Sequence, residues 1–178
     1  MYKRLYKSNK RIYILIILFF FTVSCNKQDT VENTIYQEGL INEDFVIQKD
    51  TIYIQLGNTL EKTEIAEEVI SMRDINEKKA YQTIAYDGFV LLVAPSTGKG
   101  DVIFQIITVS STFQTYREVK VGDNISVVFE RYGEGYEMYS SEEFTFYRYT
   151  YSDIENHRYL FFETDEDGSI SRIVFGLT

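Results

Sequence analysis

A single cysteine, Cys25, stands in the chain, so no disulfide can close within it. Histidine also occurs once, as His157, and tryptophan not at all. A zinc site takes three or four ligands of histidine, cysteine or carboxylate type, which one histidine and one cysteine do not supply. Nucleophilic catalysis needs a base beside the nucleophile. The one imidazole follows the polar stretch 152–156 and reads as a solvated hairpin tip. No catalytic residue, metal or cofactor is therefore expected. Basic residues are scarce as well, 18 Lys and Arg against 27 Asp and Glu. Five of the 18 lie within the first 24 residues, and beyond them the balance is 13 against 27, a net −14. Such a field repels nucleic acid and anionic lipid headgroups, and nucleic acid is excluded as a partner. What the chain has in quantity is aromatic, 15 Tyr and 13 Phe, a composition that favours strands and can build a core. At 178 residues it suits one ordinary domain.

Residues 1–11 are basic, residues 12–21 are an apolar run, and Thr22, Val23 and Ser24 lead into Cys25. A charged start, a short apolar stretch and a small-residue cleavage site form a signal-peptide layout. An uncleaved membrane anchor is the competing reading, but the run is shorter than the roughly 20 residues that span a bilayer. The four residues Thr22-Val23-Ser24-Cys25 resemble the lipobox of bacterial lipoproteins. That resemblance implies diacylglyceryl transfer to the Cys25 thiol, cleavage after Ser24 and a lipid-anchored, extracytoplasmic protein of the bacterial cell envelope. Residues 1–24 are then the signal peptide. Residues 25–40, polar and without period, read as a tether to the membrane.

The best-defined local signal is 120–133. Ile125, Val128, Phe129 and Tyr132 fall at i, i+3, i+4 and i+7, one face of a short helix. Asp123 is the expected N-cap and Gly133 the expected C-terminal cap. A fainter echo, Gly57-Asn58-Thr59-Leu60, predicts a first helix with the stripe Leu60, Ile65, Val69 and Met72. Asp87-Gly88 and Asp165-Glu166-Asp167-Gly168 predict hairpin turns between alternating runs. Landmarks recur at offsets of 65 to 67 residues: Gly57 and Gly122, Tyr86 and Tyr151, Ile103 and Ile170. The expected fold class is α+β, two tandem helix-plus-antiparallel-sheet repeats, 41–112 and 113–178, in one compact domain.

Gly122, Asp123, Val128, Tyr132 and Gly133, with the weaker set Gly57, Asn58 and Leu60, resemble a known repeat. It is the helix-then-sheet unit of beta-lactamase inhibitory protein and of the SmpA/BamE type of outer-membrane-assembly lipoproteins. The resemblance implies a protein-binding module rather than an enzyme.

Other chemistry reads as scaffold. Gly98-Lys99-Gly100 lacks the Ser or Thr that follows the lysine of a phosphate loop. Glu163, Asp165, Asp167 and Gly168 open like a calcium loop, yet Val174 stands where its closing Glu belongs. The pairs Glu67-Glu68 and Glu142-Glu143 read as surface charge. In 144–151 the alternation puts Tyr147, Tyr149 and Tyr151 on one side of a strand and Phe144 and Phe146 on the other. An exposed phenolic ladder of this kind is a candidate partner-binding surface, and cross-strand packing is the alternative. The expectation is a membrane-anchored, non-catalytic protein-interaction or envelope-assembly module. An inhibitor of an extracytoplasmic hydrolase and a small-ligand binder are the alternatives.

Overall fold

Apolar residues at every second position dominate 82–108 and 145–177, and both stretches fold as antiparallel meanders. The computed structural model describes residues 39–63, 65, 69–74, 81–96, 98, 100–141, 143–152 and 157–177. All fall in one unit running Thr34–Thr178. The signal segment, Cys25 and residues 26–38 of the tether lie outside the described residues, as do Glu67, Glu68 and Glu142.

A 3-10 turn, η1 (Asn42–Asp44), precedes a hairpin of β1 (Val46–Lys49) and β2 (Ile52–Gln55). A second 3-10 turn, η2 (Leu60–Lys62), leads into β3 (Val69–Asp74), β4 (Gln82–Tyr86), β5 (Phe89–Ser96) and β6 (Gly100–Thr108). A short strand, β7 (Gln114–Thr115), and one helix, α1 (Ile125–Tyr132), follow. Then come β8 (Glu137–Ser140), β9 (Thr145–Ser152), β10 (His157–Thr164) and β11 (Ile170–Leu177). Eight strands form one antiparallel sheet in the order β3-β4-β5-β6-β11-β10-β9-β8, and β2-β1-β7 form a small one.

The small sheet and α1 cover one face of the large sheet. Phe45, Ile47 and Ile54 from the first, and Val128 and Tyr132 from the helix, share a core cluster with Leu91, Ile106, Leu160, Phe162 and Phe175. The spacing of the α1 stripe brings Val128 and Tyr132 onto this core, with Ile125 packed beside them. Asn124 caps the helix, its Oδ1 accepting from Ser126 N at 3.1 Å. Gly133 ends it at φ +79, a conformation that suits glycine. The expected cap, Asp123, instead accepts from Lys120 N at 2.9 Å and closes the preceding turn.

Arg117 fastens the leading segment to this layer. It donates to both carboxylate oxygens of Asp44 at 2.7 Å, to the Arg131 carbonyl at 2.8 Å, and to the Gly39 carbonyl. Its guanidinium lies 4.7 Å from the centroid of Tyr132. The hydrogen bond to Asp44 is the largest cause that raises the Arg117 pKa. Asp44 is fully buried yet satisfied, as a buried carboxylate must be.

The fold-class expectation needs correction. Among the described residues the chain is mostly antiparallel sheet with one α-helix, not two helix-plus-sheet repeats. The stripe expected of a first helix yields one 3-10 turn, and Val69 and Met72 lie in β3, paired with β4. The spacing from Leu60 to Ile65 misses a helical face, and β-branched Val69 and Ile70 accept the pleated edge beside β4. One regularity is independent of helices. Gly57 N donates to Ile103 O at 2.8 Å, and Ile103 N to Asn58 O at 2.9 Å. Gly122 N donates to Ile170 O at 2.8 Å, and Ile170 N to Asp123 O at 2.8 Å. Each meander is thus pinned by the same two-bond clasp to the turn that precedes it, with a glycine at positive φ in both turns.

Candidate interaction surface

The tyrosine ladder of β9 faces the covered side of the sheet. Tyr149 is 0% exposed, and its hydroxyl donates to the Gly133 carbonyl at 2.7 Å. Its ring lies 5.6 Å from Tyr132, 5.9 Å from Tyr136 and 6.0 Å from Phe162. Burial pushes its pKa above that of a free phenol, and the nearby Tyr136 and Tyr132 hydroxyls add to the shift. Tyr147 is half-buried, 5.3 Å from Phe129 and 5.1 Å from Tyr136, and Tyr151 packs 5.8 Å from Phe45. The expectation of an exposed ladder is therefore corrected for Tyr149, which belongs to the core, whereas Tyr147 and Tyr151 are half-buried beside it. The alternation was read properly but assigned to the wrong layer. A tyrosine can be fully buried when its hydroxyl finds an acceptor, and the Gly133 carbonyl at the helix end supplies one.

The other face of the large sheet carries a second set of aromatic residues. Every described element outside that sheet with residues in the core packs on the first face, and no residue of the core cluster comes from the second. Cross-strand register places Glu137, Arg148, Phe161, Val174, Ile107, Val90 and Ala85 in one row across seven strands. The adjoining row holds Thr150, Tyr159, Gly176, Gln105, Leu92 and Thr83. The first row is apolar from Phe161 to Ala85, with Val174, Ile107 and Ala85 buried, and the second has buried Gln105 at its middle. The aromatic residues of these rows that reach solvent are the half-buried Phe161 and Tyr159.

Tyr159 and Gly176 explain each other. A Cβ at Gly176 would sit 2.1 Å from Tyr159 Cζ, so the ring occupies the space a side chain would take. The Tyr159 hydroxyl reaches across to accept from Gln105 Nε2 at 3.0 Å. Phe161 meets it edge-on at 4.9 Å, and Arg148 stacks its guanidinium 5.8 Å from Tyr159 and 5.7 Å from Phe161. Arg148 also lies 3.6 Å from Glu137. Cation–π contacts pre-order the arginine without consuming its donors. At the next row Glu163 is buried and held by Arg172, whose Nε donates to it at 2.7 Å. These pairings fix a rigid aromatic and arginine patch, the residue types that dominate binding hot spots.

The remaining sequence candidates are placed as follows. Ser152 and His157 close the β9–β10 ladder, Oγ to Nδ1 at 2.8 Å, both exposed at the hairpin tip. Asp165 and Asp167 form the β10–β11 turn. The Gly168 amide donates to the Asp165 carbonyl at 3.0 Å and the Ser169 amide to Asp167 Oδ1 at 2.9 Å. That amide bond lowers the pKa of Asp167. Glu163 is taken by Arg172, so the carboxylates of the supposed calcium loop do not converge. Among the described residues no three His, Cys, Asp or Glu side chains are grouped to hold a metal. Gly98 and Gly100 belong to the β5–β6 hairpin, both at positive φ. Sequence reasoning missed Tyr159, Phe161 and Arg148. The signal available was the run 158–163, apolar on both faces, which marks a strand whose outer side also has something to cover.

No protein-family model, curated protein or solved structure matches the chain.

Proposed function

We propose that this protein is a lipid-anchored, extracytoplasmic protein of the bacterial cell envelope, acylated at Cys25, that works as a non-catalytic protein-interaction module. The observation that carries the second half of this reading is the second face of the eight-stranded sheet. It presents Tyr159, Phe161, Arg148 and Phe146 on a rigid scaffold, outside the core cluster. Half-buried aromatic rings around a pre-ordered arginine, edged by Glu137 and Thr150, are the residue types that anchor contacts with another protein. The tether would let the domain reach a partner from the membrane while the acyl groups hold it there.

The test is site-specific photo-crosslinking in intact cells. A photoreactive residue at Phe161 or Phe146 is expected to capture a discrete protein, and one at exposed Thr112, in the loop before β7, to capture none. Equal capture at both positions, or none at Phe161 and Phe146, would remove the basis for this surface.

A further inference from the structure

The large sheet ends on β8, and among the described residues no strand pairs with the outer side of β8. All four residues of the strand are exposed, Met138 at 59% and Tyr139 at 41%. Natural edges are blunted by shortness, by charge, by proline or by a bulge, and β8 has the first two, with four residues and Glu137. The strand Glu-Met-Tyr-Ser has no lysine or proline, and its pairing with β9 runs without a register shift.

Which backbone groups point outward follows from the ladder. Ser141 N donates to Phe144 O at 2.9 Å, which marks that facing pair as hydrogen-bonded. Bonded and non-bonded pairs alternate in an antiparallel ladder. Tyr139 with Phe146 and Glu137 with Arg148 are then the bonded pairs, and Met138 and Ser140 aim their N–H and C=O groups away from the sheet. The close side-chain contact of Ser140 with Thr145, 3.2 Å between hydroxyls, agrees with a non-bonded pair.

Side chains beside this edge add a surface on each face. Met138 stands opposite Tyr147 on the covered side, next to Phe129 and Tyr136, three rings whose centroids lie 4.9 to 5.3 Å apart. On the other side the Tyr139 hydroxyl donates to Glu137 at 2.8 Å. The charge along the edge leans acidic. Residues 132–147 hold four acids, Glu134, Glu137, Glu142 and Glu143, and no Lys or Arg, and of these Glu137 already faces Arg148 of β9 at 3.6 Å.

We propose that β8 accepts an extended, basic segment of a partner protein as a ninth strand of the sheet. Backbone bonds to Met138 and Ser140 hold the segment, lysine or arginine side chains meet the acidic edge, and alternate apolar side chains lie on Met138 and the Tyr147 rings. A second copy of this chain is the poorer occupant, because its own β8 would bring glutamates against glutamates and the chain beyond residue 24 carries −14.

The test uses the full-length protein in detergent micelles and a capped peptide of about six residues, one strand's length, alternating lysine and valine. Glutamate replaces lysine in the control peptide. Calorimetry is expected to show binding of the lysine peptide only, with slowed hydrogen exchange at the Met138 and Ser140 amides. Ser140→Pro removes an outward N–H while leaving the ladder intact, and is expected to weaken binding about tenfold or more at an unchanged melting temperature. Should proline disturb the fold, Glu134→Lys with Glu143→Lys provides the second reading: it leaves two acids against two lysines at the edge, so the preference for the lysine peptide must fall away. Absence of binding, binding that ignores this charge change, or a dimer that protects the same amides without peptide would each overturn the proposal.

Discussion

Truncating Tyr149 separates packing from display on β9 more cleanly than any other change. The ring is fully buried and touches Tyr132, Tyr136 and Phe162, and its hydroxyl is spent on the Gly133 carbonyl. Tyr149→Ala should cost about 3–5 kcal/mol, the range for a buried aromatic that leaves a cavity. At about 2–4 °C per kcal/mol for a domain of this size, the melting temperature should fall by roughly 6–20 °C. Tyr149→Phe keeps the ring and loses one hydrogen bond. Gly133 is only partly buried, so water can replace the lost donor and the cost should be about 1 kcal/mol. On the neighbouring position Thr150, which is exposed on the opposite face, Ala should stay within about 0.5 kcal/mol of the parent. Urea and thermal unfolding of the chain from Asn26 onward would read all three. A Tyr149→Ala loss no larger than that of Thr150→Ala would show that the ring is not packed, and would return the ladder to the surface.

Three further outcomes follow from named contacts. Asp44→Ala strands the Arg117 guanidinium in a partly buried site and should cost roughly 3–5 kcal/mol, as for one broken partner of a buried pair. Chemical denaturation measures it, and a loss below about 1 kcal/mol, the scale of a surface pair, would demote Arg117 from its role. Alkaline stability carries a definite sign. The Tyr132 and Tyr149 pKa values are raised above 10.0 by burial, so stability is intact below that pH and is lost as the unfolded phenols ionise above it. Phenolate absorbance of these two should appear only with unfolding, and its appearance while the protein is still folded would contradict their burial. Cys25→Ser should leave an unprocessed, unlipidated precursor. Mass spectrometry of the mature N-terminus decides this, and cleavage elsewhere or an unmodified Cys25 would end the lipoprotein reading.

How much was legible in the sequence varied with the range of the contacts involved. Local signals translated directly. Asp87-Gly88 became the β4–β5 turn, with Gly88 at φ +92. Ile125, Val128, Phe129 and Tyr132 became α1. The capping residue moved by one because Asp123 had a nearer donor, the Lys120 amide, and Asn124 took the helix end. The first helix failed where an irregular stripe competed with a pairing to β4, a partner only the folded sheet supplies. Strands β7 and β8 escaped because they are short, and β8 is exposed throughout. The layer that β9 turns toward is set by α1 and the small sheet, elements remote in sequence. Alternation within 144–151 reports two faces and is silent on which of them is covered.

The surface at the centre of this account can be read directly by hydroxyl-radical footprinting of the protein in its native membrane and after purification. Phe161, Phe146 and Tyr159 should label in the purified protein and be protected in the membrane. Tyr53 and Tyr116, at 45% and 44% exposure on the opposite layer, should label alike in both. Identical labelling of Phe161, Phe146 and Tyr159 in the two states, or protection confined to Tyr53 and Tyr116, would contradict the assignment of the second sheet face as the partner-binding surface.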